Sequence, residues 1–363
     1  MPKIYLSAKA LSENFRLLKA KVRGTLIPVL KADAYGHGAC FACKVLLTEG
    51  AEIFAVASAF EAFELLEFLR KRKEEFTNKR VFVMGSVEGR ELFPLLASEV
   101  ILSVHSPRYA RFLSRTIEDC KKAYLLPSSF RASVHIKLET GMNRMGVRSA
   151  QALRQMLALP HLRVEGVYSH LAHAGDPLRT KEQHEGFLRF EKDLPDGLTT
   201  HLSASEGLLR YGDLSLSAAR PGLALYGVAP AGISLPLRPV MRFCARLISV
   251  LRVDAGAFVG YGNTQTDRAR RLAIIDAGYA DGIPPTAAEG GYVMIRGKKC
   301  PFFGAVCMDR STLDIGDLTL REGDEITLFG DFFGDTAAFA DAARVSPYVL
   351  LSLRSKRTER IYV

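Results

Sequence analysis

Residues 26–39 read LIPVLKADAYGHGA, an apolar run that stops abruptly on a lysine and a glycine-rich turn. Further short apolar runs follow: IFAVA at 53–57, VFVMG at 81–85, VILSV at 100–104 and SVHIKL at 133–138. VEGVYSH at 164–170, THLSA at 200–204 and PGLALYGV at 221–228 complete the series. Most are followed by a stretch with helical spacing, such as FEAFELLEFLRKRKEEF from residue 60 or EGFLRFEKDL from residue 185. Eight apolar strands alternating with helices over about 230 residues predict an α/β fold, a (β/α)8 barrel of the TIM type.

Beyond residue 232 the rhythm changes. LPLRPVMRFCARLISVLRV (235–253), RRLAIIDAGYADG (270–282), GGYVMIRGKKCPFFGAV (290–306) and EGDEITLFG (322–330) are strand-like runs separated by Gly, Asp and Pro turns. Only ADAARVSPYVLLSL (340–353) reads as helical. The expected division is a barrel over 1–231 and a mostly β domain over 232–363, with KIYLS near the start available to pack with the latter. No internal repeat or low-complexity linker interrupts either part.

Composition narrows the function. The 363 residues are 48% hydrophobic and 24% charged, the balance of a soluble globular protein. No run approaches the roughly 18 uncharged apolar residues of a membrane span, and the opening MPKIYLSAKALSENF lacks an apolar leader, so a cytoplasmic location is expected. The six cysteines are few and irregularly spaced, which fits a reducing compartment. Cys40 and Cys43 form an apolar C-x-x-C with no second pair, so helix packing is expected and no metal. The net charge of +10 invites a nucleic-acid reading, but the basic residues lie scattered in groups such as Arg70 to Lys73 and Arg268 to Arg271. Without interleaved aromatics they read as a solvated surface, with no nucleic-acid partner.

Catalytic groups of a barrel gather at the C-terminal ends of its strands, where the first run places Lys31. Desolvation lowers the pKa of a lysine there, as Schiff-base chemistry requires, although a lysine snorkelling from the barrel mouth shows the same pattern. The loops after strands seven and eight commonly seat a phosphate. Here they carry Ser205 in HLSASEG and Gly222 with Leu223 in AARPGLALYG. Tyr35, four residues after the lysine, could add a hydroxyl. Taken alone, serine and glycine in loops say little.

Seven strings, in order and in register, carry more: KADAYGHGA (31–39), HIKLETGMNRMGV (135–147), YSHLAHAG (168–175), ARPGLALYGVAP (219–230), VGYGNT (259–264), AGYADG (277–282) and VCMD (306–309). Together they closely resemble the alanine racemases, from the first residues to about 360. The resemblance implies a barrel followed by a β domain, and a head-to-tail homodimer with shared active sites. It also implies the cofactor pyridoxal 5'-phosphate, with L- and D-alanine as small-molecule substrates and D-alanine supply for peptidoglycan as the role. Lys31 would hold the cofactor and move a proton on one face of the substrate α-carbon, while Tyr261 from the partner would act on the opposite face. Read without the resemblance, Tyr261 is a structural tyrosine beside a glycine turn. His170 and Arg220 would form the hydrogen-bonded chain that tunes that base, with Arg220 facing the pyridine nitrogen. Arg144 would contact the cofactor's phenolic oxygen and the substrate carboxylate, and Lys137 matches a lysine often carbamylated, which would orient Arg144. Met308 would offer its backbone amide to the carboxylate, and Tyr279 matches a tyrosine of the substrate's path inward. With Tyr261 they would keep the pocket small.

Three positions depart from the family pattern. Ala204 stands where asparagine is frequent, Arg310 where glutamine is, and Lys356 where some members place another phosphate-contacting tyrosine. His37 is expected to shape the turn, and His170 with His173 is not expected to hold a metal. A racemase of serine, lysine or broader specificity is the nearest rival reading, since pocket width decides it. Barrel-type decarboxylases normally set a carboxylate against the pyridine nitrogen, and barrel proteins that merely carry pyridoxal phosphate lack the β domain.

Overall fold

Serine and aspartate decide where several helices begin. Ser58 accepts from the Glu61 amide while Glu61 accepts from the Ser58 amide, a reciprocal box that opens the helix Ala59–Arg70. Ser106 before Pro107 accepts from the Tyr109 amide, and Asp176 before Pro177 from the Leu178 and Arg179 amides, opening Pro107–Lys122 and Pro177–Leu188 with proline at a position whose N–H has no helical partner. The computed structural model describes residues 1–72, 79–98, 100–353, 355 and 357–363. Lys73 and Lys356 lie outside these described residues.

After β1 (Lys3–Leu6), the strands β2 (Thr25–Leu26), β3 (Ile53–Val56), β4 (Arg80–Val83), β5 (Ile101–Val104), β6 (Ala132–Lys137), β7 (Leu162–Tyr168), β8 (Thr199–His201) and β9 (Ala218–Ala219) follow. Eight of them, β2 to β9, form one parallel sheet in the order β2-β9-β8-β7-β6-β5-β4-β3. Its ends meet at Val29 and Ala55, where the Ala55 amide donates to Pro28 O at 2.8 Å and the Leu30 amide to Ala55 O at 2.8 Å. The sheet thus closes into the expected (β/α)8 barrel. Every residue of β5 and β6 is buried, because a barrel strand is covered on both faces.

Proline redraws three expected strands. In 26–30, Pro28 has no N–H, so the ladder covers only Thr25–Leu26 and resumes as a single bridge at Val29. PGLALYGV is not the eighth strand: β9 is Ala218–Ala219, and after Pro221 the chain winds into a 3-10 turn over Leu223–Tyr226. In 235–253 the ladder waits until Met241, past Pro236 and Pro239.

The second sheet contains β10 (Met241–Val253), β13 (Arg270–Ile275), β16 (Ser311–Asp314), β17 (Glu325–Phe329) and β18 (Glu359–Tyr362), and it includes β1. β1 runs antiparallel to β10, from Lys3 opposite Cys244 to Leu6 opposite Met241, and parallel to β18. Two small hairpins accompany this sheet: β11 (Phe258–Val259) with β12 (Thr264–Gln265), and β14 (Tyr292–Ile295) with β15 (Lys298–Pro301). The helix expected over 340–353 is two helices, Asp335–Ala342 and Pro347–Ser352, parted before Pro347. Among the described residues no helix is long and apolar enough to cross a membrane.

Candidate active site

Lys31 closes the first apolar segment of the barrel, and the turn after it is unusual. Ala32, Asp33, Ala34 and Tyr35 all have φ of 53° or 54°, a full left-handed turn without a glycine. Such a turn costs about 1–2 kcal/mol per residue. The surroundings hold it. Glu61 accepts from the Ala32 and Ala57 amides at 2.7 Å each, and Asp33 accepts from the Ala39 amide at 2.7 Å. Arg360 pairs with the other Asp33 oxygen at 2.7 Å. His37 shapes the exit, its Nδ1 lying 3.0 Å from Ala34 O while its ring stacks on Tyr226. Four residues apart on this turn, Lys31 and Tyr35 face the same cavity.

That cavity, about 420 Å³, opens at the C-terminal ends of the barrel strands. One wall is a small cradle. The Ser205 hydroxyl accepts from the Gly222 amide at 3.0 Å and the Ala224 amide at 3.1 Å. A Cβ on Gly222 would stand 2.3 Å from the Tyr35 hydroxyl, so any larger residue would have to displace that ring. Leu223 lines the same wall, as do Ala204 and Tyr348. Tyr348, from the helix Pro347–Ser352, sets its ring 5.9 Å from that of Tyr35.

The opposite walls are cationic. Lys137, Arg144 and Arg220 join Lys31, and no carboxylate lines the cavity among the described residues. Burial, with the positive charge of Arg144, pushes the Lys31 ammonium below its usual range. Lys137, only 6% exposed, is pushed down to about 8 by burial and then by Arg144 and Arg220. Arg144 rides on a loop whose Gly141, Asn143 and Arg144 amides all donate to Glu139, at 2.7–3.1 Å. His170 is driven down to about 3 by burial and by the Arg220 charge, so it is neutral at any physiological pH.

Arg220 is the most constrained of these groups. It is 3% exposed and donates to Ser169 O at 2.6 Å and Leu202 O at 3.2 Å. It also donates to His201 Nδ1 and reaches His170 Nδ1 at 3.4 Å. Its guanidinium lies 5.1 Å from the Tyr168 ring centroid, and the Tyr168 hydroxyl is anchored on Ser103 at 2.6 Å. Tyr168, His201 and Tyr348 were not singled out from sequence. A polar or aromatic residue within an otherwise apolar barrel strand is the signal that would have marked the first two.

Three expected residues are not brought to this cavity by their own chain. Tyr261, at the tip of the β11–β12 hairpin, is 75% exposed; Met308 is 56% and Tyr279 45% exposed. Met308 and Tyr279 are neighbours, since the Ala280 amide donates to Met308 O at 2.9 Å.

Comparison with known families settles the kinship. The model of the alanine racemase N-terminal domain matches residues 6–230, and that of the C-terminal domain matches 240–362. The chain belongs to the alanine racemase family. An alanine racemase of Caldanaerobacter subterraneus subsp. tengcongensis is 31% identical, with 99% of this chain and 93% of that protein covered. One from a Nostoc species is 34% identical over 90% of this chain and 86% of its own. Among solved structures, the alanine racemase from Streptomyces coelicolor superposes with a TM-score of 0.89 at 28% identity, covering 100% of this chain and 98% of its own. That from Bartonella henselae, solved with covalently bound pyridoxal phosphate, gives 0.89 at 27% identity, covering 100% and 99%.

Proposed function

We propose that the chain interconverts L- and D-alanine with pyridoxal 5'-phosphate, using Lys31 and the partner subunit's Tyr261 as two bases. The observation that carries this reading is a cavity lined by Lys31, Lys137, Arg144 and Arg220 with no carboxylate among its described lining residues. The cavity suits the cofactor in size and charge. It lies within the range of small-molecule sites, its glycine cradle leaves room for phosphate oxygens, and its cations answer a phosphate dianion and a substrate carboxylate. Ser205, Gly222, Leu223, Tyr35 and Tyr348 would hold the phosphate, and Lys31 the aldehyde carbon. When bound, pyridoxal phosphate supplies the electron sink that makes the substrate α-proton labile.

The chain's residues do the rest. Desolvation keeps a larger share of Lys31 as neutral amine, able to take the α-proton on one face. A single base would return the proton to the face it left, so inversion needs a second group opposite. Tyr261 serves that role from the partner subunit, because its own chain leaves it exposed on the β domain. Neutral His170 passes the influence of Arg220 towards that phenol. Arg220 would donate a hydrogen bond to the pyridine nitrogen without yielding its proton, which would leave the cofactor a weaker sink. That favours rapid reprotonation over side reactions and speaks against the decarboxylase reading. Arg144 would take the substrate carboxylate, with the Met308 amide from the partner subunit beside it, and Tyr279 would narrow the way in. Burial of Lys137 raises its neutral fraction, the form that adds CO2, and a carbamate there would turn repulsion of Arg144 into attraction.

A homodimer with shared sites is part of this reading, supported by the exposed Tyr261, Met308 and Tyr279. So is a division into barrel (1–231) and β domain (232–363). A cytoplasmic location, with D-alanine supplied to peptidoglycan, fits six cysteines that are all free thiols. The decisive assay is D-alanine formation from L-alanine with added pyridoxal phosphate, read by chiral chromatography beside L-serine and L-lysine. Rapid conversion of alanine alone supports the proposal. Cofactor binding without any racemisation would overturn it.

A further inference from the structure

Behind Arg220, deeper in the barrel, lies a second layer of polar groups that no step of the mechanism uses. His201 on β8 and His135 on β6 are both fully enclosed, at 0% and 1% exposure. His201 Nδ1 meets the Arg220 guanidinium, and His201 Nε2 lies 2.8 Å from His135 Nδ1. The His201 ring lies flat against Tyr168, with centroids 5.0 Å apart and planes within 5°, and Phe82 closes on its edge. Tyr168 and Phe82 thus bound the imidazole on a face and an edge.

The proton positions along this row are dictated by donor chemistry. A guanidinium only donates, so His201 Nδ1 must be the acceptor. A neutral imidazole has a single N–H, which then sits on His201 Nε2 and points at His135 Nδ1. His135 Nδ1 must therefore be bare as well, with its proton on Nε2. Any other assignment puts N–H against N–H on one side of His201 or the other. If His201 carried its proton on Nδ1, two donors would collide and the guanidinium would be driven from its seat towards the cavity.

We propose that His135 is a positioning residue: by accepting from His201 Nε2 it fixes the His201 tautomer that in turn receives Arg220 and aims it. This inference rests on the proposed function, in which Arg220 faces the cofactor ring. Tyr168, stacked on His201 and beneath the guanidinium, holds the row flat. His135 touches neither substrate nor cofactor. It acts two residues away, through the direction of one hydrogen bond. Arg220 favours the same tautomer from the other side; with a leucine or phenylalanine in place of His135 the space is filled but the buried His201 Nε2–H loses its acceptor, and that tautomer loses its second support.

The test uses the full-length protein with ¹⁵N-labelled histidine, together with the variants His135→Asn and His135→Leu. Asparagine can present an oxygen near the position of Nδ1; leucine cannot. In the wild type, nitrogen NMR of the cofactor-free protein should show His201 protonated at Nε2 and bare at Nδ1. His135→Asn should keep that pattern, with kcat for L-alanine within about threefold, whereas His135→Leu should lose the single tautomer and about tenfold or more in kcat with KM little changed, as for other residues that orient a reacting group through one neighbour. A wild-type His201 protonated at Nδ1 overturns the proposal outright. So does a His135→Leu protein that keeps both the tautomer and the kcat. A wild type that binds pyridoxal phosphate but does not racemise alanine would overturn the proposed racemase function instead, and the tautomer would still be decided by the NMR.

Discussion

Replacing Gly222 by alanine strikes the cradle with one methyl group. The added Cβ would stand 2.3 Å from the Tyr35 hydroxyl oxygen and 2.8 Å from the ring carbon bearing it, where ordinary contact begins at 3.4 Å. Tyr35 must therefore retreat by about 1 Å, and little room exists, because overpacked sites relax poorly. Its ring is 5% exposed and sits 5.1 Å from Tyr226 and 5.9 Å from Tyr348. Its backbone is committed to the left-handed turn. Overpacking of this kind costs about 1–3 kcal/mol, which for a domain of this size lowers the melting midpoint by roughly 2–4 °C per kcal/mol. The cofactor is hit harder. Losing a hydroxyl partner to a charged phosphate costs about 1.5–3 kcal/mol, or roughly 10- to 150-fold in Kd. Thermal melts of the cofactor-free protein and titration with pyridoxal phosphate, followed by visible absorbance, measure the two effects separately. Unchanged melting and unchanged Kd in Gly222→Ala would refute the placement of Tyr35 against Gly222 and the phosphate seat built on it.

Lys31→Ala should bind pyridoxal phosphate without the visible absorbance of a covalent link; a normal chromophore would remove Lys31 from that role. Mixing Lys31→Ala with Tyr261→Ala protein, each inactive, should restore about a quarter of wild-type turnover, because half of randomly paired dimers then contain one intact site. Failure of dimers that demonstrably exchange subunits to recover activity would argue against a partner's Tyr261. Tyr348→Phe should weaken pyridoxal phosphate binding about tenfold with little loss of stability, the magnitude of one hydrogen bond to a charged group. An unaltered Kd would confine Tyr348 to packing. For Lys137 the sign is set by its folded value of about 8 against an ordinary 10.5. Between those pH values the unfolded chain binds more protons, so in CO2-free buffer stability should rise with pH across that window, and Lys137→Met should raise stability at pH 7 by about 1–3 kcal/mol. Bicarbonate should abolish that advantage as the carbamate forms, with an added CO2 visible in the native mass. Urea melts showing no such window would contradict an unmodified, buried Lys137.

Much of this architecture is legible in the chain. Short apolar runs alternating with stretches of helical spacing mark the barrel, and Lys31 is visible because a charged residue ends an apolar segment. The errors have physical causes. Sequence periodicity counts PGLALYGV as a strand, but Pro221 cannot donate to a ladder and the apolar residues after it bury themselves in a 3-10 turn instead. The left-handed turn at 32–35 is invisible, since Ala-Asp-Ala-Tyr has no glycine to announce it and its support comes from Glu61 and Arg360, far along the chain. Tyr348 escaped notice because only folding brings the helix Pro347–Ser352 onto the turn that holds Tyr35. His135 and His201 lie within recognisable strands, yet in a barrel alternate residues point inward, and which ones meet depends on strand stagger that local sequence does not encode.

The strand β1 is made first and placed late. Its neighbours are Met241–Cys244 of β10 and Glu359–Tyr362 of β18, while all the barrel strands lie between them, from Thr25 to Ala219. At translation rates of about 5–20 residues per second, β1 waits roughly 10–50 s for its first partner, while the last barrel strand, Ala218–Ala219, is made only about 1–4 s before Met241. During that interval the nascent chain trails an unpaired strand edge beside a growing barrel, open to the same segment of a neighbouring chain on the polysome. Slower elongation through residues 220–260 would lengthen that exposure, and a cell could tune the yield of folded enzyme there without altering one residue of the active site.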